Sequence, residues 1–174
     1  MLQKANTMRI QDRPEYNVKS RPATFQKNAI VREAITLMAE NNYGSVVITD
    51  KNGGVEGILT ERDLMTRLLH HNKDPDKTKV SEIMTKNVRV AKGENLVIDW
   101  LRIMSNERFR HLPVVDNNGK LVNMMSQGDF VSYTWPELLE RITAKTKESI
   151  GSSYQIPLII AALLSYTLII NLFT

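Results

Sequence analysis

The stretch GILTERD, from Gly57 to Asp63, decides the fold, because it recurs later in the chain as NMMSQGD, from Asn123 to Asp129. In each copy a short apolar run leads into a hydroxyl residue that is followed three positions later by aspartate. This spacing predicts a strand that enters a helix closed by a capping box, in which Thr60 and Asp63 each accept the other's backbone N–H. The same junction could instead hold a ligand, because a helix N-terminus offers free N–H groups and partial positive charge.

The similarity between the two copies extends outward from this junction without a gap. SVVITDKNG, at 45–53, aligns with HLPVVDNNG, at 111–119, and each predicts a strand that enters a tight turn. Before each strand, apolar residues at i, i+3, i+4 and i+7 predict an amphipathic helix. These residues are Val31, Ala34, Ile35 and Met38 in the first copy, and Val97, Trp100, Leu101 and Met104 in the second. With an extended stretch ahead of each helix, both copies are predicted to fold as strand, helix, strand, strand and helix.

Composition narrows the classes of function. The chain has 174 residues, of which 42% are hydrophobic and 24% are charged, as in a folded protein. The absence of cysteine excludes thiolate metal sites and cysteine nucleophiles. The net charge of +4 is mild and basic residues alternate with acidic ones, so we expect no nucleic-acid partner. No histidine lies at a metal-ligand spacing or in a catalytic arrangement, so we predict no metal site, no catalytic residues and no enzyme activity.

An uncharged segment, IPLIIAALLSYTLIINLFT at 156–174, predicts a transmembrane anchor at 155–174. A helix of this length spans about 28 Å, close to the ~30 Å hydrocarbon core of a bilayer. The alternatives are a buried core helix or one half of a dimer interface. An amphipathic juxtamembrane helix is predicted at 135–154. It carries three cations and none follows the anchor, so the positive-inside rule places the rest of the chain in the cytoplasm. These cations are Arg141, Lys145 and Lys147.

Taken together, the two copies resemble the cystathionine-β-synthase (CBS) domain family, in which paired repeats form a Bateman module. The ending of the family's repeat, roughly G-h-[ST]-x-x-D with h a short apolar run, is matched from Gly57 to Asp63. The stretch from Asn123 to Asp129 matches it too, with asparagine in place of the glycine. SEIMT, at 81–85, looks like the linker that precedes a second CBS repeat. The resemblance runs from about residue 18 to residue 134.

The resemblance implies a mixed α/β (α+β) fold, in which tandem β-α-β-β-α repeats at 18–71 and 82–134 are related by a pseudo-twofold axis. A polar segment at 1–17 would precede the first repeat, and a linker at 72–81 would join the two. Two clefts would lie between the repeats. Modules of this family often pair again, so a homodimer is expected.

The resemblance also implies a ligand. CBS clefts commonly hold AMP, ADP, ATP or S-adenosylmethionine as regulatory ligands, and no cofactor is required. A carboxylate can accept both hydroxyls of a ribose, an arginine fork suits phosphate, and apolar strand residues could sandwich an adenine. The residues expected to bind nucleotide are Thr60, Arg62, Asp63, Ser45, Val46, Val47, His111, Leu112, Pro113, Ser126 and Asp129.

The two copies differ at this predicted site. Arg62 of the first copy is replaced by Gly128 in the second, and Asn123 stands where the family has glycine. The site at Asp129 is therefore expected to be the poorer one. His111 could contact a phosphate, or it could be a partly buried histidine that hydrogen-bonds the backbone.

The sequence thus predicts a membrane-anchored regulatory protein that senses an adenine nucleotide. Occupancy of the cleft would be relayed to an unidentified membrane transporter or enzyme. The alternative is a dimerising scaffold at the membrane that binds no ligand. In a scaffold, the junction at Thr60 and Asp63 would act only as a helix cap, worth about 1 kcal/mol.

Overall fold

The computed structural model describes residues 7–131, and residues 7–130 belong to one compact unit with two β-sheets. The first sheet has the order β1-β2-β3-β4, with bounds Thr24–Phe25, Ser45–Thr49, Val55–Thr60 and Thr85–Lys86. The second sheet has the order β5-β6-β7, with bounds Ala91–Lys92, His111–Val115 and Leu121–Ser126. The helices α1 to α5 are Pro14–Val18, Val31–Asn41, Glu61–Asp63, Val80–Ile83 and Val97–Glu107. Helix α3 continues as a π-helix, Leu64–Leu69, and a further helix begins at residue 127.

The predicted order of strand, helix, strand, strand and helix is confirmed in both copies. Helix α5 and strands β6 and β7 repeat the bounds of α2, β2 and β3 at the same offset that aligns Asn123 with Gly57. Each copy pairs its first strand parallel to its second, and its second antiparallel to its third. Even the register shift near the end of the second strand recurs, between Ile48 and Thr49 and between Val114 and Val115. The internal repeat of the sequence is therefore a structural repeat.

Both predicted capping boxes are confirmed. The backbone N–H of Thr60 donates to Oδ2 of Asp63 at 2.9 Å, and the N–H of Asp63 donates to Oγ1 of Thr60 at 3.3 Å. The N–H of Ser126 donates to Oδ2 of Asp129 at 2.5 Å, and the return bond to Oγ is 3.3 Å long. These boxes satisfy orphan N–H groups at the helix start and fix the direction in which the chain leaves the strand.

The segment that precedes each repeat packs on the other repeat. Val80 and Ile83 of α4, which lead into the second repeat, are fully buried in the core of the first. Ile10, which precedes the first repeat, is fully buried in the core of the second. Its backbone N–H donates to the carbonyl of Asn95 at 2.9 Å. In its described part, the segment predicted as polar at 1–17 is docked on the second repeat, because Ile10, Met8 and Tyr16 pack against the core of that repeat.

The stretch interpreted as a polar linker, 72–81, is also held by the first repeat. The N–H of Val31 donates to the carbonyl of Thr78 at 2.9 Å, and the Arg32 guanidinium makes two hydrogen bonds to Asp76 at 2.9 and 3.0 Å. Thr78 itself is buried. This linker therefore fixes the N-terminus of α2 instead of passing freely between the repeats.

The predicted juxtamembrane helix at 135–154 and the predicted anchor at 155–174 lie outside the described residues. Within residues 7–131, no helix has both the length and the apolar character that a bilayer span requires.

Candidate functional site

A cleft of about 540 Å³, here called the first cleft, lies where the two repeats meet. Four segments supply most of its lining: the end of β3, α3 with the π-helix that continues it, the chain at 85–89 after α4, and the chain at 107–111. Gly44 lines it as well. The first three segments belong to or pack on the first repeat, and the fourth comes from the second repeat. A ligand held here would contact both repeats.

The carboxylate of Asp63 is fully engaged at the edge of this cleft. Its Oδ2 accepts the capping bonds of Thr60, including the hydroxyl at 2.7 Å. Its Oδ1 accepts Oγ1 of Thr85 at 2.9 Å and lies 3.2 Å from the guanidinium of Arg67. Because Asp63 is only 5% exposed, a ligand hydroxyl would reach Oδ1 by displacing one of these donors. The capping bonds thus end on Oδ2, and Thr85 and Arg67 occupy Oδ1.

Arginine dominates the charge of the first cleft. Five arginines and three carboxylates line it. Two of the arginines are paired with acids, Arg67 with Asp63 and Arg89 with Glu107. The others are Arg62, Arg108 and Arg110. The cleft therefore carries excess positive charge, which suits an anionic ligand.

One of these arginines spans the cleft. Nη1 of Arg62 donates to the backbone carbonyl of Arg108 at 3.2 Å and so connects the repeats. Arg108 has a left-handed backbone, with φ of 58°, because it ends α5. Such a backbone conformation is uncommon for a residue other than glycine, and the surrounding structure holds Arg108 in it at the wall of the cleft.

Sequence reasoning missed Thr85 and most of the arginines. Their signal was present, since NERFRHL at 106–112 places two cations around Phe109 directly before β6. The matching stretch of the first copy, ENNYGSV at 40–46, has no cation. The difference in positive charge between the two copies singles out the stretch at 107–111. Which cleft this stretch faces depends on how the two repeats pack.

The structure corrects the expected adenine slot. Val46 and Leu112 are buried in the cores of the first and second repeats, Val47 and Pro113 are also buried, and none of the four lines either cleft. Both faces of β2 and β6 are covered, so their apolar residues are core residues. The apolar walls of the first cleft are instead Ile58, Val88 and Phe109.

A second cleft of about 330 Å³ is the counterpart of the first. Ser45, Ser126 and His111 line it, together with the chain at 19–23 that follows α1. Asp129 borders it through its capping bond to Ser126. Of the eleven predicted site residues, the first cleft thus brings together Thr60, Arg62, Asp63 and His111. The second brings together Ser45, His111 and Ser126, and Asp129 lies behind Ser126 without lining the cleft.

Asn123 lines neither cleft. It replaces the glycine of the first copy, and its side chain is buried, with Nδ2 donating to the carbonyl of Tyr16 at 2.5 Å. The asparagine therefore helps dock the N-terminal segment on the second repeat.

His111 separates the two clefts and lines both. Its ring packs on Gly44, where an added Cβ would lie 3.1 Å from Nε2. Burial lowers the pKa of His111 below its ordinary value, and the cations Lys19 and Arg110 add to this, although the Glu61 carboxylate acts in the opposite direction. The imidazole is therefore neutral near pH 7 and becomes harder to protonate than in the unfolded chain.

This lowered pKa predicts how stability depends on pH. The unfolded chain takes up the His111 proton first, so stability is retained above the ordinary value of 6.5 and is lost as pH falls through the lower folded value. We expect His111→Gln to flatten the loss of stability between pH 7 and pH 5, as measured by urea midpoints. His71→Gln, at an exposed turn, serves as the control and should keep the slope. An unchanged slope in His111→Gln would contradict the assignment.

A comparison with known protein families finds the same two repeats that the structure shows. The sequence profile of the CBS domain matches residues 15–70 and 80–135, well over half of the chain. The chain belongs to the CBS domain family. Its two matched regions are the two structural repeats, so the protein contains a CBS pair, or Bateman module. Neither this match nor the similar proteins below indicate a catalytic family.

Two curated relatives illustrate the similarity. The uncharacterized 17.7 kDa protein in the bps2 3′ region of Acidianus ambivalens is 41% identical over 102 residues, which cover 59% of this chain and 60% of that protein. CBSCBSPB1, a CBS domain-containing protein of Arabidopsis thaliana, is 34% identical over 106 residues, covering 61% of this chain and 19% of that protein. The chain therefore spans less than two thirds of either relative.

Two similar solved structures contain adenosine compounds. The CBS domain pair of protein MJ0100, in complex with 5′-methylthioadenosine and S-adenosyl-L-methionine, has a TM-score of 0.65 and 25% identity, covering 75% of this chain and 98% of that chain. The CBS domain protein PAE2072 from Pyrobaculum aerophilum, complexed with AMP, has a TM-score of 0.61 and 26% identity, covering 70% and 89%. These ligands belong to those proteins.

Proposed function

We propose that this CBS pair is a regulatory module that binds an adenosine phosphate in the first cleft and relays its occupancy to a partner. One observation carries the proposal: the Thr60–Asp63 junction of one repeat shares a cleft with the arginine-rich loop 107–111 of the other. A ligand that contacts both would change the free energy of their relative placement. That differential interaction is what a regulatory ligand needs.

The subsites follow from the chemistry of the lining. The ribose hydroxyls would take Oδ1 of Asp63, in place of the Thr85 hydroxyl that now donates to it at 2.9 Å. The adenine would pack on the apolar wall formed by Ile58, Val88 and Phe109. The phosphates would meet the arginine forks, which bind phosphate oxygens through paired N–H groups. The arginines placed for this are Arg62, Arg108 and Arg110.

The charge of the first cleft favours phosphates over a sulfonium. Five lining arginines against three lining carboxylates leave an excess of positive charge. AMP, ADP and ATP are anions, whereas S-adenosylmethionine carries a sulfonium cation. We therefore expect the adenosine phosphates to bind more tightly than S-adenosylmethionine does. Like charges across a cleft cost affinity.

The setting of the module is proposed from the sequence. An anchor at 155–174 would hold the CBS pair, with repeats at 18–71 and 82–134, on the cytoplasmic side of a membrane. A homodimer of such pairs would pass the ligand-induced change to a membrane transporter or enzyme. Exposed Met65 and Leu69 supply apolar surface that a second copy could cover.

A dimerising scaffold without a ligand is the second candidate. The capping box favours it, because a ligand hydroxyl would have to compete with the donors that Asp63 already accepts from Thr60, Thr85 and Arg67. For a scaffold, Asp63→Ala lowers stability and changes nothing else. For the ligand-binding module, the same substitution also removes nucleotide binding.

Calorimetric titration of the full chain with AMP, ADP, ATP and S-adenosylmethionine tests the proposal. We expect binding of the adenosine phosphates, and we expect Arg62→Gln to weaken it about 10- to 100-fold, since a hydrogen bond to a charged group contributes about 1.5–3 kcal/mol. Arg102→Gln is the matched control, because Arg102 is an exposed arginine of α5 outside the lining of either cleft. Absence of heat with all four ligands at millimolar concentration would reject the nucleotide-binding function.

A further inference from the structure

The second cleft contains a cation that the chain itself supplies. Lys19 follows α1, and its Nζ donates to Oδ2 of Asp129 and, at 3.3 Å, to the carbonyl oxygen of Met124. Lys19 lines the second cleft together with Ser126. The carboxylate expected to hold a ligand in this cleft is therefore already paired with an ammonium group.

The equivalent position in the first cleft carries a neutral residue. The offset between the copies that aligns Asp129 with Asp63 also aligns Thr85 with Lys19. The Thr85 hydroxyl donates to Asp63 through one neutral-donor hydrogen bond. Both bonds end on a carboxylate, but only Lys19 also brings a positive charge, whose Coulomb attraction to the carboxylate threonine lacks. Displacing the Thr85 hydroxyl leaves Asp63 paired with Arg67, whereas displacing Lys19 takes from Asp129 the ammonium group with which it is paired. A ligand hydroxyl can therefore displace threonine in the first cleft more easily than it can displace lysine in the second.

The ammonium and the helix cap share one oxygen of Asp129. Besides Lys19, Oδ2 accepts the backbone N–H of Ser126 at 2.5 Å and its hydroxyl at 2.8 Å. Burial opposes ionisation of this carboxyl, but the Lys19 and Ser126 hydrogen bonds together outweigh it and lower the pKa of Asp129. Removing the lysine would leave a carboxylate whose side chain is only 14% exposed without its counter-charge.

The N-terminal segment that precedes Lys19 is packed on the second repeat and fixes the position of the lysine. Upstream of Lys19, Ile10 is fully buried, and the buried guanidinium of Arg13 donates to the backbone carbonyl of Asp129. The carbonyl of Tyr16 accepts Nδ2 of Asn123. Because the segment is held at these points, Lys19 reaches Asp129 within the molecule, and any ligand competes with a high effective concentration of ammonium.

We infer that Lys19 is a built-in occupant of the second cleft, so that each chain takes one adenosine ligand, in the first cleft. The inference rests on the proposed function, and it names the residue that decides which of two equivalent clefts is open. The sequence repeat places equivalent carboxylates, Asp63 and Asp129, at the two clefts. Lys19 occupies the one at the second cleft. The smaller volume of the second cleft, about 330 against 540 Å³, agrees with this assignment.

Binding stoichiometry tests the inference. The full chain is titrated with AMP, and in a parallel series with ATP, as wild type and as Lys19→Thr, which places the residue of the first cleft at the matching position. We expect one nucleotide per wild-type chain and two per Lys19→Thr chain, with the affinity of the first cleft unchanged. Two nucleotides per wild-type chain, or one in both proteins, would overturn the role of Lys19.

A ligand-free measurement separates this inference from the proposed function. Acetylation of the full chain, followed by mass spectrometry, reports how freely each lysine amine reacts. We expect Lys19 to react several-fold more slowly than Lys51, which is exposed in a hairpin turn, and to react faster after Asp129→Asn. If no nucleotide binds at all, the proposed function fails while this protection still stands. Equal reactivity of Lys19 and Lys51 would overturn the occupancy itself.

Discussion

Ile10→Ala is expected to destabilise the folded chain by about 2–5 kcal/mol, the usual cost of truncating a fully buried isoleucine. Ile10 has no exposed surface and packs in the second core with Met125 and Phe130. The loss combines the transfer free energy of the deleted carbons with the cavity that remains. Urea unfolding of the full chain, followed by tryptophan fluorescence, measures it, since Trp100 packs against the same core.

Val18→Ala is the matched control for this prediction. Val18 lies in the same N-terminal segment, but it is 84% exposed. Its truncation should change the free energy of unfolding by no more than about 0.5 kcal/mol. Equal effects of the two substitutions would show that the segment is not part of the second core. A large difference would show that a fragment beginning at residue 18 lacks part of its fold.

Gly57→Ala is expected to destabilise the chain by about 1–3 kcal/mol and to weaken nucleotide binding in the first cleft. An added Cβ would lie 2.8 Å from Sδ of Met84 and 2.9 Å from the backbone oxygen of Thr85. The methionine can turn aside, but the backbone oxygen belongs to β4, which pairs with β3 at this point. Relieving the clash therefore moves β4, and with it the Thr85 hydroxyl that donates to Asp63.

Gly128→Ala is expected to change the free energy of unfolding in the opposite direction and to stabilise the chain. Gly128 lies in the helix that begins at residue 127, and the nearest atom to an added Cβ is Oγ of Ser126 at 3.7 Å. Alanine is favoured over glycine in a helix by about 1 kcal/mol. The two variants, measured side by side by urea unfolding and AMP titration, distinguish steric crowding from a general effect of the methyl group. A Gly57→Ala protein as stable as wild type would contradict the crowding argument.

The position equivalent to Gly57 shows that crowding is a local property. Asn123 occupies it in the second copy, and there the side chain is accommodated and hydrogen-bonded to Tyr16. The first three strands of each sheet share order and register, but among the described residues only the first sheet has a further strand, β4, beside Gly57. The difference therefore comes from what lies beside the two equivalent strands. The chain at 84–85 approaches the first sheet too closely for a side chain, whereas the N-terminal segment leaves room beside the second. The same neighbours make the two clefts unequal.

Much of the fold could be predicted because its signals are local. The helical spacing from Val31 to Met38, the Asp-to-Gly turns and the two capping boxes each depend on residues within about one turn of each other. Comparing the copies also predicted that the site at Asp129 would be the poorer one. The sequence pointed to Gly128 and Asn123 as the reason, whereas the structure adds Lys19, which is distant from Asp129 along the chain.

The strands show where local reasoning failed. Val46 and Leu112 were expected to sandwich an adenine as apolar residues of strands beside the junctions, but β2 and β6 are inner strands covered on both faces. An apolar residue in such a strand is buried whichever way it points. The sequence alone determined the repeat, its elements and the capped carboxylates, since neighbouring residues set them. Only the tertiary structure decided which segment packs on which repeat, because that choice depends on burial between distant residues, and it placed Thr85 beside one carboxylate and Lys19 on the other.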